Sequence, residues 1–204
     1  MKLLITAFEP FGGETVNPAL EAVLLLPDVI AGADIIKLTI PTVFGKSAAV
    51  AAEALAFHMP DAIICIGQAG ERSAITPERV AINVDDARIA DNEGNQPVDQ
   101  PIIPGGPDAY FATLPIKAMV KAIANAGLPA AVSNTAGTFV CNHLMYHILH
   151  LMKEKYPGMV GGFIHVPYLV EQAQRQKEPC FGMALSDIVN GLTAAIAAVV
   201  KALA

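Results

Sequence analysis

The sequence predicts an α/β domain built on a mostly parallel central sheet. Three observations predict it. Short β-rich segments are apolar on both faces, as strands covered by helices on each side must be. Helical patterns alternate with them along the chain. Hydrophobic residues make up 53% of the 204 residues and charged residues only 16%, so a sizeable core can be buried.

The elements follow in order. Residues 2–7 read as a first strand, and Gly12-Gly13 beyond it as a tight turn. Asn17-Pro18 caps and opens a helix running to about Leu26. A strand over 33–40 leads to an Ala-rich helix over 46–59 that Pro60 stops. Strands follow over 61–66 and 80–84, and a helix over 116–125 has Gly127 as its stop. A strand over 130–133 precedes a helix over 142–156, which ends at Pro157-Gly158. A strand over 160–166 and a helix over 186–203 complete the pattern. Residues 87–115 hold Pro97, Pro101, Pro104, Pro107 and Pro115 and show little periodicity. Two readings stand for them, a functional lid and an exposed insertion. No repeat or linker divides the chain, so 1–204 is expected to be one domain.

Composition excludes some partners. The net charge is −6 with a pI near 5.3, and no basic block interrupts the acidity, so no nucleic-acid partner is expected. The apolar run 192–200 falls short of the roughly 20 residues that span a bilayer, so no membrane association is expected. The start Met1-Lys2-Leu3-Leu4-Ile5 meets Glu9-Pro10 at once and reads as a strand rather than a leader. Cys65, Cys141 and Cys180 cannot close a disulfide framework, which fits a reduced, cytoplasmic protein.

Phosphate-loop, nucleophile-elbow and zinc-helix signatures are absent. Cys141 is the candidate nucleophile. It follows a Gly-containing turn and stands where a helix begins, so the positive end of the helix dipole favours its thiolate. The same first-turn N–H groups can hold an oxyanion. The plain alternative is a buried core thiol, which is also the reading of Cys65. His165 ends a strand, at the sheet edge where functional groups gather in parallel sheets. It is either the base or a satisfied core histidine. Glu78 can orient an imidazole, but the residues alone do not rank it above Asp85, Asp86 or Glu71. His143, His147 and His150 form a stripe on one helix, readable as a packed face or as a metal site. These alternatives leave a zinc hydrolase, a non-catalytic binding protein and a sugar- or nucleoside-cleaving enzyme as rival readings.

Two longer segments carry a resemblance. Gly67-Gln68-Ala69-Gly70 with Ile75-Thr76-Pro77-Glu78-Arg79-Val80-Ala81-Ile82-Asn83, and Ser133-Asn134-Thr135-Ala136-Gly137-Thr138-Phe139-Val140-Cys141-Asn142, resemble the glutamate and cysteine signatures of the pyroglutamyl-peptidase I (pyrrolidone-carboxylate peptidase) family. The stretches 8–18 and 86–94 are similar too, so the resemblance runs through nearly the whole chain. Glu71 departs from it, since a small residue is expected there.

The resemblance implies a single three-layer α/β/α sandwich and a thiol peptidase that removes N-terminal pyroglutamate through a thioester. It implies Cys141 as nucleophile, His165 as base and Glu78 as the third member. Arg88 is implied near the oxyanion, and Phe8, Phe11, Gln68, Ile89, Phe139 and Val140 around the pyroglutamyl ring. It further implies peptides with N-terminal pyroglutamate as partners, a cytoplasmic homotetramer, and no metal or cofactor.

Overall fold

The computed structural model describes residues 1–204 except Pro179. The elements run β1 (Lys2–Phe8), α1 (Pro18–Leu25), β2 (Val29–Ile30), β3 (Ala33–Ile40), α2 (Lys46–His58), β4 (Ala62–Gln68), β5 (Thr76–Pro77), β6 (Val80–Ile82) and β7 (Ala109–Phe111). They continue with α3 (Ile116–Asn125), α4 (Val140–Lys155), β8 (Val160–Val166), β9 (Tyr168–Leu169), α5 (Val170–Gln174), β10 (Gly182–Met183) and α6 (Leu185–Leu203).

The six-stranded sheet has the order β2-β3-β1-β4-β8-β5. β1 pairs in parallel with β3 and β4, and β4 with β8. The short edge strands β2 and β5 are antiparallel. Side chains alternate along each strand and sort into two cores. Leu3, Ile5, Ile64, Ile66, Ile164 and Val166 pack with α1, α3 and α6. Leu4, Phe8, Ile63, Cys65 and Phe163 face α2 and α4. The result is the expected three-layer arrangement. The chain leaves β1 toward β3 on one side and takes up β4 on the other, so the sheet has a switch point at the carboxyl ends of β1 and β4.

Two expectations are corrected. Residues 130–133 do not form a strand; Ala130 and Ser133 make only isolated bridges to Ile75 and Glu78. Pro77 and Pro129 carry no N–H to donate, so no continuous ladder can form there. The expected strand 80–84 ends at Ile82 and leaves the main sheet to pair with β7 in a two-stranded ribbon. The C-terminal helix falls where expected, within one residue. At 19 residues, α6 is long and apolar enough to cross a membrane by length and composition, but its Ile188, Leu192, Ile196 and Val199 are buried in the first core.

Residues 87–115 are neither a free lid nor a bare insertion. The Asp91 carboxylate accepts from the backbone N–H groups of Phe44, Glu93 and Asn95. The Asn92 amide donates to Glu9 Oε1 and to the Pro10 carbonyl. The segment is thus clamped to the loops that follow β1 and β3.

Candidate active site

Helix α4 starts two residues earlier than the sequence predicts, which places Cys141 inside its first turn. Gly137, at φ +77°, turns the chain into the helix. The Asn142 side chain then fixes that turn, accepting from the Ile82 N–H at 3.0 Å and donating to the carbonyls of Ile82 and Val84. No side chain caps α4 at Phe139, so its first N–H groups stay open to a ligand oxygen.

The sulfur comes to rest on β4. A β-carbon built on Gly67 would lie 3.0 Å from Cys141 Sγ, and Gly67 pairs with His165 of β8. Neighbouring strands run about 4.8 Å apart, so thiol and imidazole share one small region of the sheet edge. No hydrogen bond joins the two among the described residues.

His165 and Glu78 are both buried, at 3% and 0% exposed. His165 Nδ1 meets Glu78 Oε1 at 2.7 Å, which leaves Nε2 as the ring's free nitrogen. Arg72 Nη1 donates to the same Glu78 oxygen and to Thr76 Oγ1 at 2.5 Å, while Nη2 reaches the Thr135 carbonyl at 2.8 Å. Burial pushes the Glu78 carboxyl up, but the hydrogen bond from His165, with lesser help from Ser133 and the charge of Arg72, outweighs it, and it stays below the usual carboxylate range.

Cys141 behaves differently from the sequence expectation. Burial, with the Glu78 carboxylate adding to it, pushes its thiol up to about 12 against the opposing charge of Arg72. Burial also pushes the His165 imidazole down despite Glu78. The pair rests as neutral thiol and neutral imidazole, because desolvation of the sulfur outweighs the helix dipole. Cys65, fully buried, is a core thiol raised in the same way.

A model of the pyroglutamyl peptidase family matches residues 1–202. The chain belongs to the pyroglutamyl peptidase family. It is 59% identical over 200 residues to pyrrolidone-carboxylate peptidase 1 of Streptococcus pneumoniae, covering 98% of this chain and 93% of that protein. It is 59% identical over 203 residues to the pyrrolidone-carboxylate peptidase of Levilactobacillus brevis, covering 99% and 98%. Among solved structures, pyroglutamyl peptidase I of Bacillus amyloliquefaciens superposes with a TM-score of 0.94 at 51% identity, over 98% of this chain and 97% of that one. Pyrrolidone carboxyl peptidase of Pyrococcus furiosus superposes over the full length of both chains, at 0.95 and 41%.

Within this family member, the residues expected around the pyroglutamyl ring fall into two groups. Phe11, Gln68, Ile89 and Phe139 are partly exposed. Phe8 and Val140 are buried in the second core, Phe8 with its ring 6.3 Å from that of Phe163. Phe139 lies between Phe11 at 6.0 Å and Phe44 at 5.4 Å. Ile89 approaches Gly12, and Gln68 Oε1 accepts from the buried Gln172 amide at 3.4 Å. Arg88 is exposed, and its guanidinium makes no hydrogen bond or ion pair with Glu78, Cys141 or His165.

Sequence reasoning missed Arg72, Phe44 and Asn142. Arg72 lies one residue beyond Glu71 in the segment that joins the two halves of the glutamate signature, and a charged residue there is the signal that was available. Phe44 and Asn142 gave none, since their partners are remote in sequence. Asp85 is not an alternative to Glu78, because its carboxylate meets His143 Nδ1 at 2.7 Å. His143 Nε2 accepts from the Gly45 N–H at 3.0 Å, so both its ring nitrogens are engaged. His150 Nδ1 meets the Tyr110 hydroxyl at 2.8 Å. The histidine stripe therefore does not converge on a common point.

Proposed function

We infer that this chain is a thiol peptidase that removes N-terminal pyroglutamate from peptides, with residues 1–204 acting as one catalytic unit. Cys141 Sγ attacks the carbonyl that joins pyroglutamate to the next residue. His165 Nε2 takes the thiol proton as the bond forms, so the neutral pair ionises only with substrate in place. Glu78 receives Nδ1–H, fixing the tautomer and stabilising the imidazolium. The open N–H groups of α4 hold the oxyanion, and Arg88, unpaired and exposed, swings in to assist. His165 returns its proton to the leaving amine, and water cleaves the thioester.

The walls suit the substrate. Pyroglutamate carries no ammonium, because its nitrogen is locked in a lactam. Phe11, Phe139 and Ile89 form apolar surroundings, Phe8 and Val140 lie in the core rather than on a surface the ring can touch, and Gln68 supplies hydrogen bonds to one amide. A site that pairs the lactam rejects proline by about 10⁴-fold, since proline leaves buried polar groups unpaired.

The single observation that supports this reading most is the sulfur of an uncapped helix turn resting on Gly67, beside a histidine whose Nδ1 is held by a buried glutamate. The test is replacement of Cys141 by Ser and by Ala. Both abolish cleavage of a pyroglutamyl amide and leave the circular dichroism spectrum unchanged; turnover at the original rate in either overturns the assignment.

We also propose a cytoplasmic homotetramer. The family resemblance and the apolar side chains left open at Phe57, Met59 and Phe111 favour assembly. Sedimentation equilibrium tests it, a monomer mass being the adverse result.

A further inference from the structure

Arg72 links the acid, the base and the nucleophile's approach. Its Nη1 donates to Glu78 Oε1, the oxygen that also receives His165 Nδ1. The same nitrogen holds Thr76, which pairs with His165 across β5 and β8 and whose hydroxyl lies 3.4 Å from the His165 carbonyl. Its other nitrogen, Nη2, reaches the Thr135 carbonyl, the start of the turn that leads through Gly137 into Cys141. Glu78 is fully buried and the Arg72 side chain 23% exposed, so this cation, beside the larger contribution of His165, helps hold the carboxylate charged. An unpaired buried carboxylate would take up a proton instead.

We propose that Arg72 is a positioning residue of the peptidase reaction, holding Glu78 charged against His165 and tying that carboxylate to the turn that delivers Cys141. The proposal rests on the roles assigned above to Cys141, His165 and Glu78. The charged and titratable groups around His165 are Glu78 beyond β5, Arg72 in the β4–β5 connection and Cys141 from α4, with Cys65 deeper on the same face of β4 acting on Cys141. Arg72 favours the neutral form of the imidazole as well as the charged form of Glu78. Its removal therefore lets the Glu78–His165 pair take up a proton more readily, and this moves the acidic limb of the rate profile up.

The test uses the full chain with Arg72→Gln and Arg72→Lys, assayed for kcat/KM against pH on a pyroglutamyl amide. The imidazole of His165 is titrated by NMR in the same proteins. Arg72→Gln lowers kcat/KM by about 10- to 100-fold, the scale of a small misplacement of reacting groups. It also moves the acidic limb of the coupled pair up by on the order of one pH unit and shifts the His165 midpoint. Arg72→Lys keeps the charge but loses the forked reach to Thr135, so its limb returns to the original position while kcat/KM stays depressed. An unmoved limb and midpoint in Arg72→Gln overturn the proposal, since a purely structural strap would lower the rate equally at every pH. Should Arg72→Gln fail to fold, Arg72→Lys decides: full kcat/KM there overturns the proposal. If the unaltered chain itself cleaves no pyroglutamyl amide, the peptidase reading fails, and the His165 midpoint still tests what Arg72 does.

Discussion

Cys141 Sγ stands 3.0 Å from the place a β-carbon would occupy on Gly67, and Gly67 is the strand partner of His165. The absent side chain is what admits the sulfur to the sheet edge. Phe163 closes the same space from β8, its Cζ 2.7 Å from that point.

Gly67→Ala therefore forces Phe163 or the sulfur to move. Overpacking of this kind destabilises by about 1–3 kcal/mol, and displacement of the nucleophile lowers kcat/KM on the order of 10²-fold. Thermal unfolding and steady-state kinetics check this. An Ala variant with unaltered melting and unaltered turnover contradicts the placement of the sulfur.

Glu78→Gln keeps the shape of the side chain but removes the charge opposite His165 Nδ1. The wrong tautomer becomes favoured, and kcat falls by roughly 10²- to 10⁴-fold with KM little changed. An unaffected kcat removes Glu78 from the mechanism.

The resting thiol is neutral, with its ionisation pushed up to about 12 chiefly by burial. Alkylation of Cys141 by iodoacetamide in the free protein consequently keeps accelerating past about pH 9, because only the thiolate reacts. Peptide mapping separates it from the exposed Cys180. A rate already level at neutral pH indicates a standing thiolate and contradicts this prediction.

The fold was largely legible because its signals are local. Asn17-Pro18 marks the start of α1, and Asn17 does cap it, accepting from the Ala19 N–H at 3.0 Å. The apolar periodicity of 33–40, 116–125 and 160–166 matches β3, α3 and β8 to the residue. The ribbon of β6 and β7 was not legible, since 109–111 is too short to show a period. Cys141 was legible from the Gly-containing turn and helix start around it, and His165 from the end of its strand. Glu78 was not distinguishable from Asp85 without the resemblance, because what separates them is which histidine each one meets. The neutral state of the thiol depends on its burial and on the Glu78 carboxylate, which no local pattern encodes.

His147 gives a prediction about acid stability. Burial, then the neighbouring His143 and His150, push its imidazole down from 6.5 to about 4. The unfolded chain binds this proton more readily, so the folded state is fully favoured above about pH 6.5 and loses stability as pH falls toward 4, by at most about 3 kcal/mol. His147→Gln removes that loss. Chemical denaturation at neutral and acidic pH should show a smaller difference for the variant; an equal difference excludes His147 as the source.

The most direct measurement is hydrolysis of a pyroglutamyl chromogenic amide beside its prolyl counterpart, with and without prior alkylation. The expected result is turnover of the pyroglutamyl amide, at least about 10⁴-fold preference over the prolyl amide, and loss of that turnover in step with modification of Cys141. Equal cleavage of the two amides, or full activity after Cys141 is modified, would contradict it.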